Sequence, residues 1–262
     1  MVESKGQGSG KRLIKVLVGI PNEGHTEVQA YDNRLEMFLH LGNLQLLSSV
    51  GQTEYCGVKF DIPEGVEYQF SLTNIGQVFP ALARERIAEI ALEGDFDYVW
   101  MIDDDMICPM DTFENLVKHK VDIIAPLAFT RSSPHKPVLY NLTKGWDKSR
   151  GENYYINMPV VNYPKNQLVR CDAVGFGSVL IDTKVLKGMQ KPYFMTTSGA
   201  GEDIHFCHKA GELGFKVYMD TNIKLGHLGY PKVITEECYE QEMNIEELRN
   251  VYGDQDKYAE NA

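Results

Sequence analysis

The chain lacks any apolar run long enough to cross a bilayer, and its opening segment, Met1 to Arg12, is polar and rich in Gly and Ser where a secretory leader would be apolar. Cysteine is sparse and scattered. Cys56, Cys108, Cys171, Cys207 and Cys238 include no C-x-x-C pair, which suits reduced thiols better than a disulfide framework, so the expected location is cytoplasmic. Basic residues are outnumbered: 26 Lys and Arg against 37 Asp and Glu give a formal charge of −11, which argues against a broad nucleic-acid footprint. No internal repeat is present, and the first strand-to-helix turn, Pro21-Asn22-Glu23-Gly24, has no glycine-rich phosphate loop.

What is there is enough for one sizeable core: 262 residues with 43% hydrophobic composition. Ile14 to Ile20 reads as a buried strand, and Asp32 to Val50 has helical apolar spacing at Leu35, Phe38, Leu39, Leu41 and Leu44. Gly65 to Leu72 alternates like a strand. Pro80 to Leu92 predicts an amphipathic helix with Leu82, Ile87, Ile90 and Ala91 inward and Arg84, Glu85, Arg86 and Glu89 available to solvent or ligand. A strand at Tyr98 to Ile102, a helix near Met110 to Lys118 and a strand at Val121 to Pro126 continue the alternation. Strand, helix, strand implies an α/β fold whose largely parallel sheet gathers ligands at its carboxyl ends. Arg131 to Cys171 predicts hairpins or a flap, Ala173 to Ile181 a strand, Lys184 to Met189 and Asp203 to Leu213 helices, and Phe215 to Met219 a strand.

The most informative junction is Asp103-Asp104-Asp105, directly after the apolar run that begins at Tyr98. Alternation along extended chain would point Asp103 and Asp105 the same way. Like charges so close are costly unless a cation sits between them or one takes a proton, and hard oxygen ligands suit Mg²⁺ or Mn²⁺. The competing reading is an acidic turn capping the next helix. An EF-hand is disfavoured because Cys108 and Pro109 stand where glycine and a flexible carbonyl are needed.

In order along the chain, Val18 to Glu23, Ala83 to Ala88, Asp97 to Met106, Val174 to Ile181, Gly201 to Cys207 and Leu225 to Gly229 together resemble a GT-A fold glycosyltransferase of the family 2-like type found in bacteria and phages. The resemblance spans roughly residues 14 to 230. It implies a Rossmann-like mixed, mostly parallel sheet in a single domain over 13–230, with a nucleotide-binding half to about 130 and an acceptor-binding half beyond; outside it, composition predicts a flexible 1–12 and an acidic tail at 231–262, helical over 244–251. It also implies a metal-dependent hexosyl transfer from a nucleoside-diphosphate sugar to an acceptor hydroxyl, with stereochemistry open. The acceptor, whether glycan, small molecule or modified nucleic acid, and the oligomeric state are not specified.

By that resemblance Asp103-x-Asp105 is the metal motif, with Asp103 also near the ribose, and His227, between Gly226 and Leu228-Gly229, is a third ligand. On the residues alone a lone histidine such as His227 is more often an ordinary packed or surface side chain than a ligand. The resemblance makes Asp203 the base that takes the acceptor proton, with Glu202 beside it; the bland alternative is a helix cap. Pro21, Asn22 and Glu23 would line the base pocket, and Arg84 or Arg86 would meet the diphosphate unless both belong to a solvated helix face. Asp104 is counted with the donor contacts although its role is open. Gly175 and Gly177 would let the backbone pass close to the donor sugar or only relieve crowding in a strand. Trp146 and its neighbouring tyrosines could stack on a sugar or pack a hairpin. The rival functions are nucleotidyl transfer to sugar phosphates, a non-catalytic sugar- or metal-binding module, and a phage-type enzyme that glycosylates modified DNA bases.

Overall fold

The computed structural model describes residues 11–22, 28–147, 152–197, 199–229 and 233–242. Glu23 and the helix expected near 244–251 lie outside them, as do the side chains of Trp146, Tyr154 and Tyr155. In chain order the elements are β1 (Arg12–Asn22), α1 (Val28–Val50), β2 (Glu54–Tyr55), β3 (Val58–Lys59), β4 (Val66–Gly76), α2 (Pro80–Glu93), β5 (Tyr98–Ile102), β6 (Met106–Ile107), α3 (Thr112–Val117) and β7 (Ile123–Leu127). There follow β8 (Leu139–Asp147), β9 (Glu152–Pro159), β10 (Leu168–Cys171), β11 (Ala173–Val174), β12 (Ser178–Asp182), α4 (Thr183–Gly188), α5 (Glu202–Glu212), β13 (Val217–Lys224), β14 (Gly226–Leu228), β15 (Val233–Ile234) and α6 (Glu236–Glu242).

Seven strands form the central sheet in the order β10-β13-β7-β12-β5-β1-β4. Pairings β1–β4, β1–β5 and β13–β7 are parallel; β12 runs antiparallel to both β5 and β7, and β10 antiparallel to β13. Five strands therefore share one direction, giving the mixed, mostly parallel α/β sheet expected. Alternation along β5 sorts its side chains to two cores. Val99 and Met101 join the layer with α2, α4 and α5, whereas Trp100 and Ile102 join the layer with α1 and α3. At the sheet edge, Ser48 and Gln45 of α1 accept the Tyr68 and Phe70 amides of β4 at 3.0 and 2.7 Å, which blunts the row of donors an edge strand would offer another chain.

Two helix faces differ from the sequence reading. On α1, Met37, Leu41, Leu44 and Leu47 are buried, but Leu35 and Leu39 face outward. On α2 the buried stripe is Ala83, Arg84, Ile87, Ala88 and Ala91, and Leu82 is exposed. The cause is close docking of α2 on β1. A Cβ at Gly19 would stand 2.4 Å from Ile87 Cγ2, so glycine permits the approach, and Arg84 turns inward because carboxylates await it. The single strand expected over 173–181 is broken into β11 and β12 by Gly175-Phe176-Gly177, three residues that line the site.

Away from the site, Asp220 of β13 is buried and accepts hydrogen bonds from His119 Nε2 at 2.7 Å and from Asn222 Nδ2 and N–H at 2.8 and 2.9 Å. Burial pushes its pKa up, but the Asn222 and His119 bonds outweigh it and hold the carboxyl below its ordinary value. A depressed carboxylate contributes stability above its unfolded pKa, ~3.9, and loses it as pH falls through the folded value. Asp220→Asn should therefore cost about 1–3 kcal/mol at pH 7, a difference that begins to shrink below about pH 4 and vanishes only below the depressed folded value, as read from urea midpoints across that range.

Candidate active site

A cavity of about 850 Å³ opens where β1, β5 and β7 end, bounded by Pro21, Asn22, the aspartate turn, Arg84, Phe129, Arg131, Phe176 and the start of α5. Its wall carries five carboxylates, Asp103, Asp104, Asp105, Glu202 and Asp203, against the two arginines and His227. Gly175 and Gly177 form part of that wall.

The two outer aspartates diverge, contrary to the alternation argument. Strand β5 stops at Ile102; the Asp103 amide bonds the Gly177 carbonyl at 2.8 Å, and the Met106 amide returns to the Asp103 carbonyl at 3.3 Å, closing a turn. Asp103 Oδ1 accepts Arg84 Nη2 at 2.6 Å. Asp105 Oδ2 instead lies 3.2 Å from His227 Nε2 and 3.3 Å from Arg131 Nη2. His227 arrives from 122 residues away because β14 pairs with β6, and the Leu228 amide donates to the Asp105 carbonyl at 2.9 Å. A Cβ at Gly226 would stand 2.7 Å from Val233 Cγ1, so this small sheet closes only around a glycine.

His227 Nδ1 lies 2.6 Å from the Phe129 carbonyl, which can only accept, so the proton sits on Nδ1. A neutral imidazole then presents the Nε2 lone pair to the Asp105 carboxylate. Two acceptors at that separation need a proton or a cation between them. Burial lowers the His227 pKa, yet Asp105 outweighs it and the net shift is upward; burial raises that of Asp105, and His227 and Arg131 bring it below the ordinary carboxylate value.

Arg84 ties the site together. From the interior of α2, 4% exposed, its guanidinium donates to Asp103, to Glu202 at the first turn of α5, and to the Phe176 carbonyl at 3.4 Å. Burial works against its charge, but Asp103 and Glu202 raise its pKa overall. Desolvation pushes Asp103 up to about 6, with Arg84 opposing and Asp105 reinforcing. Asp203 is also raised, first by burial and then by Glu202, although the Ile204 amide donates to its Oδ1 at 2.7 Å. The N-cap of α5 is Gly201, which has no side chain to cap with; Glu202 and Asp203 stand in the first turn, where the Asp203 carboxylate satisfies the Ile204 amide.

Arg86 lies on the solvent face of α2, paired with Glu89 and Glu93, and does not reach the cavity. Two basic residues escaped the sequence reading. Arg131, half-exposed at the rim beside Asp105, had no motif around it, and Arg34 is buried in α1 where the Asp104 and Asp105 charges oppose the lowering of its pKa by burial. Regular helical spacing could have flagged Arg34 as an inward charge. Among the described residues no three Asp, Glu, His or Cys side chains gather closely enough to enclose a metal ion, since Asp103 is drawn toward Arg84.

No family model and no curated protein matches the chain. Among solved structures it is similar to A197 from STIV, at 16% identity and a TM-score of 0.48 over 85% of this chain and 94% of that one. It is also similar to GalNAc-T7 crystallised with UDP, GalNAc and Mn²⁺, at 13% identity and TM-score 0.42 over 83% of this chain and 44% of that one. The catalytic domain of Drosophila beta1,4galactosyltransferase 7, in complex with xylobiose, gives 18% identity and TM-score 0.43 over 95% and 84% of the two chains. Likeness at this level concerns the course of the chain and leaves chemistry to the residues.

Proposed function

We propose that this chain is a metal-dependent glycosyltransferase that moves a sugar from a nucleoside-diphosphate sugar to an acceptor hydroxyl. The observation that carries the reading is the charge of the cavity: five carboxylates against two guanidinium groups, with the Asp105 carboxylate and His227 Nε2 3.2 Å apart on its wall. Such a wall repels a bare diphosphate and suits one neutralised by a divalent cation. Asp105 and His227 are the residues that would hold Mn²⁺ or Mg²⁺ there. When bound, the cation supplies Lewis-acid neutralisation of the departing diphosphate.

The chain's own residues supply the rest. Arg131, at the rim beside Asp105, offers a guanidinium fork to two phosphate oxygens. Pro21 and Asn22 line the cavity, and on this reading they face the nucleotide base. Arg84 acts as a positioning residue, holding Asp103 and Glu202, rather than meeting the diphosphate with free donors. Asp203 takes the proton from the acceptor hydroxyl as its oxygen bonds to the anomeric carbon and the bond to the diphosphate oxygen breaks; its raised pKa improves it as a base.

Asp203→Asn should lower turnover by roughly 10²–10⁴-fold while leaving nucleotide affinity unchanged. Transfer at the wild-type rate would remove Asp203 from that role. The donor is identified by thermal shift against a panel of nucleotide sugars with and without Mn²⁺, since a ligand of the native state raises the melting temperature with its affinity.

A further inference from the structure

Helix α1 has an outer face unlike that of a solvated helix. Val28, Tyr31, Leu35, Leu39, Leu46 and Val50 are each exposed by half or more, and they fall on one stripe of a 23-residue helix about 34 Å long. Gly42 lies on the same stripe with open space around its Cβ position. The only charges exposed on this face are Asp32 and Glu36. An apolar stripe interrupted by glycine costs helix stability and solubility unless something covers it.

From this pattern we propose that α1 is the interface of a twofold-symmetric homodimer in which the helices of two copies pack antiparallel. An isologous contact requires a self-complementary surface, in which residue i meets j and j meets i. The stripe is self-complementary about a midpoint between His40 and Leu41. At matching levels Tyr31 of one copy meets Val50 of the other, Leu35 meets Leu46, and Leu39 meets the gap at Gly42, a large side chain opposite a vacant one. The antiparallel sense also places Asp32 and Glu36 of the two copies at opposite ends, whereas a parallel pair would set like charges side by side. The six side chains expose on the order of 600 Å² per copy, so pairing removes at most roughly 1,200 Å², the lower end of the range of stable interfaces.

A lipid surface is the other apolar partner for such a face, but its exposed positions carry no Lys or Arg and its charges are acidic, the opposite of an interfacial helix. Sheet extension through β4 is opposed by the Ser48 and Gln45 caps on that edge.

Sedimentation equilibrium of the full chain at micromolar concentration should give twice the 29.7 kDa chain mass. Leu39→Lys should weaken association at least 100-fold with an unchanged circular dichroism spectrum. Because that variant could misfold, a second arm uses Leu35→Cys and Leu46→Cys, each in a Cys56→Ser background. A short bis-maleimide should crosslink the mixture of the two and neither alone. A monomeric wild type, a dimer indifferent to Leu39→Lys, or crosslinking of Leu35→Cys with itself would overturn the proposal. So would a monomer that binds neutral phosphatidylcholine vesicles through Leu39.

Discussion

Arg84→Met should destabilise the fold by about 3–5 kcal/mol and remove the proposed transfer activity. The guanidinium is buried in α2 and neutralises two carboxylates from elements far apart in sequence, Asp103 after β5 and Glu202 opening α5, so its loss leaves like charges facing each other without a counter-ion. Asp103 is already raised to about 6 with Arg84 in place; without it the carboxyl rises further and is neutral over more of the working range. Arg84→Lys keeps the charge but not the fork that reaches both acids, so it should recover part of the stability and little of the activity. Urea unfolding and steady-state transfer separate the two effects. A loss below about 1 kcal/mol would mean that the three groups are solvated independently.

Asp105→Ala should have the opposite profile: activity falls by roughly 10³-fold or more, the equivalent of about 4 kcal/mol of charge stabilisation, while the fold is retained. Its carboxyl is partly exposed, and its partners His227 and Arg131 can be satisfied by water at the cavity mouth. Circular dichroism and melting should match the wild type. Retained turnover in excess chelator would contradict the metal dependence for wild type and variant alike.

Most of the architecture was legible because alternation and helical spacing report burial directly. The run from Tyr98 to Ile102 is buried on both faces, and its β-rich apolar composition said so. The strand-end position of the aspartates was legible for the same reason. What the sequence hid were orientations imposed by tertiary contact. Spacing rotated α2 so that Leu82 faced inward and Arg84 outward, since an arginine in a buried stripe makes sense only once Asp103 and Glu202 are known to stand opposite. Alternation aligned Asp103 with Asp105, but a turn begins where the Gly177 carbonyl captures the Asp103 amide. The meeting of His227 with Asp105 depends on a three-stranded sheet assembled from distant short segments, which periodicity cannot register. Arg131 sits in an irregular segment with no pattern to mark it.

The central claim is that a divalent cation is held at Asp105 and His227 and steadies a diphosphate. Titration of Mn²⁺ into the protein with uridine or guanosine diphosphate, followed by electron paramagnetic resonance, tests it most directly. One ion per chain is expected, bound only with the nucleotide and lost in Asp105→Ala, with nitrogen coupling that disappears in His227→Ala. Undiminished Mn²⁺ binding in Asp105→Ala, or none in the wild type with either nucleotide, would contradict the account.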